Sequence, residues 1–317
     1  MQRRHFVILI LLTAVGASVV AGFFLGPRDG LRGLGVDTVG IVYIDGEISG
    51  GASTSGLFGG TLGSDNVIAY LKEARENPLV KAVVLRVNSP GGSAAAAQEI
   101  SNEVAKLRAD GKKVVTSMGD VAASGAYWVA SGTDLIIADP ATLTGSIGVI
   151  MEVQNVQELY KKLGIDVNVI KSAPMKDIGS STRPMTPEER ALLQTMVNDI
   201  FDQFVIQVSD GRKLSREAVL GLADGRVFTG RQAKSYGLID GFGNFHDAID
   251  QAVRLAGIRG RYSVKEYGVT SPWAWLTGPQ GILRQLLGRV TIVGPNGQGL
   301  INLAPDLGGN SVPGSGH

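Results

Sequence analysis

The alternation of strand-like and helix-like segments restricts the fold of this sequence most. The runs "TVGIVYIDGEI" and "VKAVVLRV" are rich in β-branched residues, which is typical of buried strands. Between them, "SDNVIAYLKEARENP" has a helical pattern that begins at Ser64 and stops at Pro78. The alternation continues through "KKVVTSM", "DLIIAD", "VQELYKKLG" and "DVNVIK". This order predicts right-handed βαβ units with parallel pairing, and therefore an α/β fold.

The organisation of the chain follows from changes in composition. We assign residues 1–27 to a cytoplasmic stub and membrane anchor, 28–37 to a Gly-rich linker and 38–268 to one catalytic-sized domain. Within that domain, residues 187–210 and 244–256 have strong helical patterns. Residues 269–317 form a Gly/Pro-rich tail, which we expect to be partly disordered, with a short helix near residues 282–287.

The N-terminal apolar run predicts one transmembrane helix ahead of the α/β domain. Residues 6–25 are 20 uncharged residues, about the length that spans the hydrocarbon core. Arg3 and Arg4 precede the run, which predicts a single-pass cell-membrane protein with a cytoplasmic N-terminus and an extracytoplasmic domain. The alternative is a cleaved signal peptide. The apolar run continues past the small residues Ala17 and Ala21, which favours the anchor.

Composition excludes several kinds of chemistry. The net charge is +1 and no long basic run occurs, so nothing indicates a nucleic-acid partner. Cysteine is absent, which excludes thiol catalysis, cysteine-ligated metals and disulfides. We expect neither a metal nor a cofactor. Apart from His5 and the terminal His317, the only histidine is His246, which disfavours a Ser-His-Asp triad.

Three loops that follow predicted strands could carry chemistry, because sites in parallel sheets form at the carboxyl ends of strands. "NSPGG" offers backbone amides to an oxyanion, although a simple turn explains it equally well. "GDVAASGAYW" places Ser124 at a helix start, where the alternative is close packing of small residues. The third loop is "SAPMKDIGSSTRP".

A serine nucleophile needs a base, and lysine is the remaining common choice. Lysine serves as a base only where desolvation lowers its pKa toward neutrality. Lys176 is a candidate, in a flank that is uncharged apart from Asp177. The spacing alone does not choose among Lys161, Lys162, Lys171 and Lys176, and each could equally be a solvated surface residue.

The motifs also form an ordered set: "VLRVNSPGGS", "SMGDVAASGAYWVA", "ATLTGSIGVI", "IKSAPMKDIGSSTRPMTPEER" and "GRVFTGRQAKSYGLIDGFG". In order and spacing they resemble the signal peptide peptidase SppA family, over residues 39–258. The length is similar to that of the short, single-domain form. The resemblance implies a ClpP/crotonase-like fold with repeated ββα and βαβ units, and a serine peptidase with a Ser/Lys dyad.

The resemblance also implies roles for individual residues. They are Ser124 as nucleophile, Lys176 as general base, Ser146 as the hydroxyl that orients the lysine, and Gly91 or Gly92 with Gly125 as oxyanion amides. It implies a homo-oligomer with active sites at subunit interfaces, and leaves open whether Lys176 acts within its own chain. Two positions depart from the family pattern, Asp120 and Ala126. Ala126 needs only a negative φ, which a helix start provides, so we expect activity to be retained.

By resemblance, the substrates are signal peptides left in the membrane after preprotein processing, and other unfolded peptides. A related membrane-bound Ser/Lys protease that cuts a stomatin-like partner is an alternative function. A crotonase-type acyl-CoA enzyme also builds its oxyanion hole from backbone amides, but would not need Ser124 or Lys176. A non-catalytic scaffold on the same fold is the third alternative.

Overall fold

A computed structural model of the protein describes residues 36–53, 62–268, 289–293 and 299–302. The chain divides into the units Met1–Val36 and Asp37–His317, and the elements below belong to the second. Within the described ranges, no helix has the length and apolarity needed to cross a bilayer. The predicted anchor at 6–25 and the predicted short helix at 282–287 lie outside the described residues.

The described residues form one large mixed sheet and a small parallel pair of strands. The strands are β1 Thr38–Asp45, β2 Ile48–Ser49, β3 Leu62–Gly63, β4 Val80–Ser89, β5 Lys113–Ala123, β6 Leu135–Ala138, β7 Leu143–Gly145, β8 Val227–Thr229, β9 Gly241–Phe242, β10 Tyr262–Tyr267, β11 Arg289–Val293 and β12 Gly299–Asn302. The large sheet has the order β12-β11-β10-β1-β4-β5-β6-β9, and β7 joins β5 to β8. Strands β2 and β3 form the small pair.

Helices connect these strands. They are α1 Ser64–Glu76, α2 Ala94–Ala109, α3 Gly125–Ser131, α4 Gln157–Lys162, α5 Pro187–Arg212, α6 Arg216–Leu220, α7 Gly230–Ser235 and α8 Phe245–Leu255, with a 3-10 helix at Pro174–Asp177. Several begin at caps that the sequence encodes: the Ser93 side chain accepts from the Ala96 amide, and Thr186 forms a capping box with Glu189 at the start of α5.

The predicted α/β class is confirmed. Strands β10, β1, β4, β5, β6 and β9 pair in parallel, while β11 and β12 add an antiparallel edge. The sequence did not predict β11 and β12, because they lie within the Gly/Pro-rich tail. A short run such as "RVTIV" becomes a strand only when another strand offers a free edge, and here β10 provides it.

The strand predicted at residues 166–171 is wrong. The structure has no strand there, and the side chains of Val167, Val169 and Ile170 are exposed. An alternating apolar pattern forms a strand only when a partner strand satisfies its backbone groups, and no described strand pairs with this segment. The third candidate loop therefore does not follow a strand of the sheet.

The sheet is buried on both faces, which explains its continuous apolar strands. The side chains of Val42 and Ile44 lie on the face of the sheet that packs against α1, α2, α3 and α5. Val39 and Ile41 point to the opposite face, which α8 covers through Ala248 and neighbouring side chains. Full burial of each such side chain contributes roughly 1.5–3 kcal/mol. Helices α1, α2, α3 and α5 thus lie on one face of the sheet, and α8 lies on the other.

Helix α5 crosses α3 at a very close contact. A Cβ atom added to Gly211 would lie 2.0 Å from the Ser131 carbonyl oxygen, so only glycine fits there. Phe204 stacks on Trp128 with ring centroids 4.9 Å apart, and the Gln207 amide donates to the Ser101 hydroxyl at 3.0 Å. These contacts attach the C-terminal half of α5 to the body of the domain.

We predict that Gly211→Ala destabilises the domain by about 1–3 kcal/mol, because the methyl group would push α5 away from α3. Gly221→Ala is the control, since its Cβ would lie 3.5 Å from the nearest atom, an ordinary contact. Urea unfolding followed by circular dichroism measures both variants. Equal free energies of unfolding in the two variants would contradict the prediction, because they would show that α3 and α5 can move apart without loss of stability.

Candidate active site

Ser124 occupies a sharp turn between β5 and α3. Its backbone has φ 52° and ψ −124°, outside the regions that serine normally adopts. Such a conformation costs of order 1–3 kcal/mol and persists only where surrounding bonds impose it. Here the Ser124 amide donates to the Gly145 carbonyl at 2.9 Å, and its carbonyl accepts from the Trp128 amide at 2.9 Å. The half-buried side chain forms no capping hydrogen bond with α3.

A bulge in β5 directs the chain into this turn. Val87 pairs with Met118 and Ser89 pairs with Ala122, so three residues of β5 lie opposite Asn88 alone. The Asn88 side-chain oxygen accepts from the Val121 amide at 3.2 Å and holds the bulge. Bulges bend a strand and redirect its side chains, and they are frequent near active sites. After the bulge, β5 pairs with β7 instead of β6.

The "NSPGG" turn lies directly against Ser124. Gly91 has φ 103° and Gly92 has φ 146°, conformations that residues with a side chain rarely adopt. A Cβ atom on Gly91 would lie 2.7 Å from the Gly125 nitrogen and 2.8 Å from the Ser124 Cβ. Glycine is therefore required at this position so that the two turns can touch.

The hydrogen bonds distinguish the two glycines as oxyanion donors. The Gly91 amide donates to the Ser89 hydroxyl at 3.1 Å, so it is already engaged. Opposite Gly92, the Ile48 amide donates to the Gly91 carbonyl and the Ile48 carbonyl accepts from the Ser93 amide. The Gly92 amide takes part in neither bond and has no acceptor within the described part of the chain. Gly125 is the first residue of α3, where amides lack an intrahelical acceptor. The geometry favours Gly92 with Gly125 as the donor pair.

Ser146 is the counterpart of Ser124 on the neighbouring strand. It follows Gly145, whose carbonyl accepts the Ser124 amide, and it too has a positive φ of 50°. Its own amide donates to the Arg226 carbonyl at 2.9 Å, which fixes the backbone. Among the described non-glycine residues, only Ser124, Ser146 and the helix-terminating Lys213 have positive φ.

Lys176 is not part of this group within one chain. It lies in the 3-10 helix Pro174–Asp177, and its side chain is exposed. No hydrogen bond or ion pair joins its amine to any residue that the structure describes, Ser124 and Ser146 included. The segment that leads to Lys176 exposes apolar side chains: Met175 is 42% exposed and Ile170 is fully exposed. The structure thus unites Gly91, Gly92, Ser124, Gly125 and Ser146, and leaves Lys176 apart.

The other candidate bases have structural explanations. Lys161 pairs with Glu158 at 2.8 Å, and Lys171 donates to the Asp177 carboxylate at 2.6 Å. Lys162 is exposed on α4. His246 is exposed on α8, which covers the face of the sheet opposite to α3. In the described ranges, no cluster of acidic and histidine side chains could hold a metal ion.

The two departures from the motif pattern are accommodated. Ala126 is fully buried within α3 and has a negative φ, as predicted. Asp120 lies in the β5 bulge with an exposed side chain. Sequence reasoning missed Ser89, which engages the Gly91 amide. Its signal was the serine of "NSPGG", a residue type that often bonds the backbone two positions on.

Comparison with known proteins identifies the family. The profile of peptidase family S49 matches residues 106–259, which include Ser124, Ser146 and Lys176. A candidate protease of Synechocystis is 42% identical over 201 residues, covering 63% of this chain and 72% of that protein. The chain belongs to peptidase family S49. Its enzyme class is that of a serine peptidase, and the resemblance to the SppA family is confirmed.

Two longer members of the family are also similar. Protease 4 of Salmonella typhi is 39% identical over 222 residues, which cover 70% of this chain and 35% of that protein. The chloroplastic serine protease SPPA of Arabidopsis thaliana is 35% identical over 230 residues, which cover 72% of this chain and 34% of that protein. The match thus spans about a third of the length of these two family S49 proteins.

We predict that Gly91→Ala lowers kcat by about 10²–10³-fold, comparable to the loss of one oxyanion donor, because its methyl group would push against Ser124 and Gly125. The measurement is peptide hydrolysis by folded, oligomer-matched enzyme. Gly111→Ala is the matched control: it has a similar positive φ of 83° but open space around it. Equal kcat values in the two variants would contradict the proposed role of this contact.

Proposed function

We propose that this protein is a membrane-anchored serine endopeptidase in which Ser124 is the nucleophile and Lys176 the general base. One observation carries the proposal: Ser124 stands on a strained turn beside the amides of Gly92 and Gly125, neither of which has an acceptor among the described residues. Strain at a serine that joins a strand to a helix is typical of an exposed nucleophile. The mixed sheet is consistent with the ClpP/crotonase-like fold.

The proposed reaction proceeds through an acyl-enzyme. Lys176, neutral, accepts the Ser124 proton while the serine oxygen attacks the peptide carbonyl. The amides of Gly92 and Gly125 donate to the resulting oxyanion, each worth about 3–4 kcal/mol in comparable enzymes. Lys176 then protonates the departing amine. Finally Lys176 deprotonates a water molecule that attacks the ester, and it returns this proton to the Ser124 oxygen as the carboxylic acid product leaves.

We further propose that the dyad is completed between subunits. The Lys176 amine is exposed within one chain, whereas a lysine base needs an environment that disfavours its charged form. A neighbouring copy that covers the exposed apolar side chains of the same segment, such as Met175 and Ile170, would provide that desolvation. The Lys176 of one subunit would then orient against Ser146 and Ser124 of another.

The proposed substrates are remnant signal peptides in the membrane and other unfolded peptides. Two observations support this: the similarity to the signal peptide peptidase SppA family, and the apolar run at 6–25, which would hold the domain at the bilayer. The proposed location is the cell membrane, with the catalytic domain outside the cytoplasm. The peptidase family disfavours the acyl-CoA and scaffold alternatives.

We predict that Ser124→Ala and Lys176→Ala each lower peptide turnover on the order of 10⁴-fold or more, because the two residues act as a unit. Lys162→Ala, which alters another exposed lysine of the same segment, is expected to retain wild-type turnover. Fluorogenic peptide hydrolysis measures all three, with size-exclusion chromatography as the check on assembly. Wild-type turnover in Lys176→Ala would eliminate the dyad.

Mixing the two inactive variants tests whether the dyad forms between subunits. After co-refolding Ser124→Ala and Lys176→Ala in equal amounts, we expect about one quarter of wild-type turnover. A site between subunits is complete only where the chain that supplies the serine retains Ser124 and its neighbour retains Lys176, which random mixing gives at about one site in four. A dyad within one chain predicts no recovery, since every chain lacks one member. Each variant refolded alone is the control.

A further inference from the structure

Four charged side chains form an ion cluster immediately beside Lys176. The Arg183 guanidinium donates to both Asp177 carboxylate oxygens, at 2.9 Å and 2.8 Å, and to both Glu189 oxygens, one of them at 2.9 Å. Lys171 donates to Asp177 at 2.6 Å and to the Pro174 carbonyl at 3.0 Å. We name Lys171, Asp177, Arg183 and Glu189 the Arg183 clamp.

The two carboxylates of the clamp are shielded from solvent in a part of the chain that otherwise has little core. The side chain of Glu189 is 3% exposed, that of Asp177 12% and that of Arg183 26%. In contrast, every side chain from 164 to 176 is exposed. Two-pronged bonds between arginine and carboxylates fix orientation as well as distance. The clamp therefore supplies the order that apolar packing does not supply here.

The clamp connects Lys176 to a rigid element. Glu189 belongs to the capping box of α5, where it accepts from the Thr186 amide at 2.9 Å. Arg183 joins Glu189 to Asp177, and Asp177 is the residue that directly follows Lys176 in the 3-10 helix. The orientation of the lysine thus depends on a continuous set of bonds that ends at the N-terminus of α5.

The clamp also pairs the carboxylate of the residue that directly follows Lys176 in the chain. Its two cations and two carboxylates sum to zero, and Asp177 is engaged on both oxygens. Hydrogen bonds from Arg183 and then from Lys171 lower the pKa of Asp177, and Arg183 with the Thr186 amide lowers the pKa of Glu189 to about 2. Both carboxylates are therefore ionised and paired at neutral pH.

We propose that the Arg183 clamp positions the general base: it orients Lys176 and prevents the Asp177 carboxylate from pairing with the Lys176 amine. The inference rests on the proposed function, in which Lys176 is that base. A free carboxylate next to the amine would favour the charged form, and a charged lysine cannot accept the serine proton. Lys171, Asp177, Arg183 and Glu189 are thus positioning residues and do not touch the substrate.

The pH dependence of kcat/KM tests the proposal. In Arg183→Met we expect the acid limb to move up by about one pH unit or more, because Asp177 is released toward Lys176. We expect kcat to fall at least about tenfold at neutral pH as a result. In the double variant Arg183→Met/Asp177→Asn the acid limb should return toward its wild-type position, since no carboxylate remains to pair with the lysine. Arg216→Met is the control, because Arg216 pairs with Asp202 outside the clamp.

A lower kcat with an unmoved acid limb in Arg183→Met, or a limb that the double variant does not restore, would overturn the proposal and leave the clamp a purely structural role. If Arg183→Met does not fold, Asp177→Asn alone decides. It leaves two cations against the one carboxylate of Glu189, so the acid limb should move to lower pH, and an unmoved limb rejects the clamp. Wild-type turnover in Lys176→Ala would instead reject the proposed function, and the clamp proposal with it.

Discussion

The contact between two turns at the carboxyl ends of β4 and β5 is the constraint on which the proposed site depends. Gly91 and Gly92 approach Ser124 and Gly125 so closely that no Cβ atom fits at Gly91. The parallel register of the strands, interrupted by the β5 bulge, brings the turns together. The strain of Ser124 is sustained because its amide and carbonyl are both bonded to elements on either side. The fold thus holds the proposed nucleophile and the proposed amide donors together within one chain.

The proposed base, Lys176, is held in place by different interactions from those that hold Ser124. The Ser124 turn is held by a buried apolar core, whereas Lys176 lies in a segment that buries little apolar surface and is ordered by ion pairs. Ion pairs fix the orientation of the segment, but they do not remove water from around the Lys176 amine. The exposed side chains around Lys176 therefore account for why one chain would hold an incomplete site, and why assembly would complete it.

Much of the fold could be predicted from sequence because its signals are local. Neighbouring residues alone are enough to recognise the β-branched runs of β1, β4 and β5 and the cap at Thr186. The strand predicted at 166–171 failed because its pattern has no partner within the chain, and β11 was missed because only the edge of β10 makes it a strand. For the site, the ordered motifs marked Ser124 and Lys176. The choice of Gly92 over Gly91 required the Ser89 hydrogen bond, which the serine of "NSPGG" permits but only the structure establishes.

The most direct test of the account is capture of the acyl-enzyme. The purified domain is mixed with an activated peptide ester, quenched in acid within the first turnovers, digested and mapped by mass spectrometry. We expect the acyl group to be attached to Ser124 and to no other residue. We also expect this acyl-enzyme to accumulate, because Ser124 attacks the activated ester before water hydrolyses the acyl-enzyme. An acyl group on a different side chain, or peptide cleavage that continues in Ser124→Ala, would contradict it.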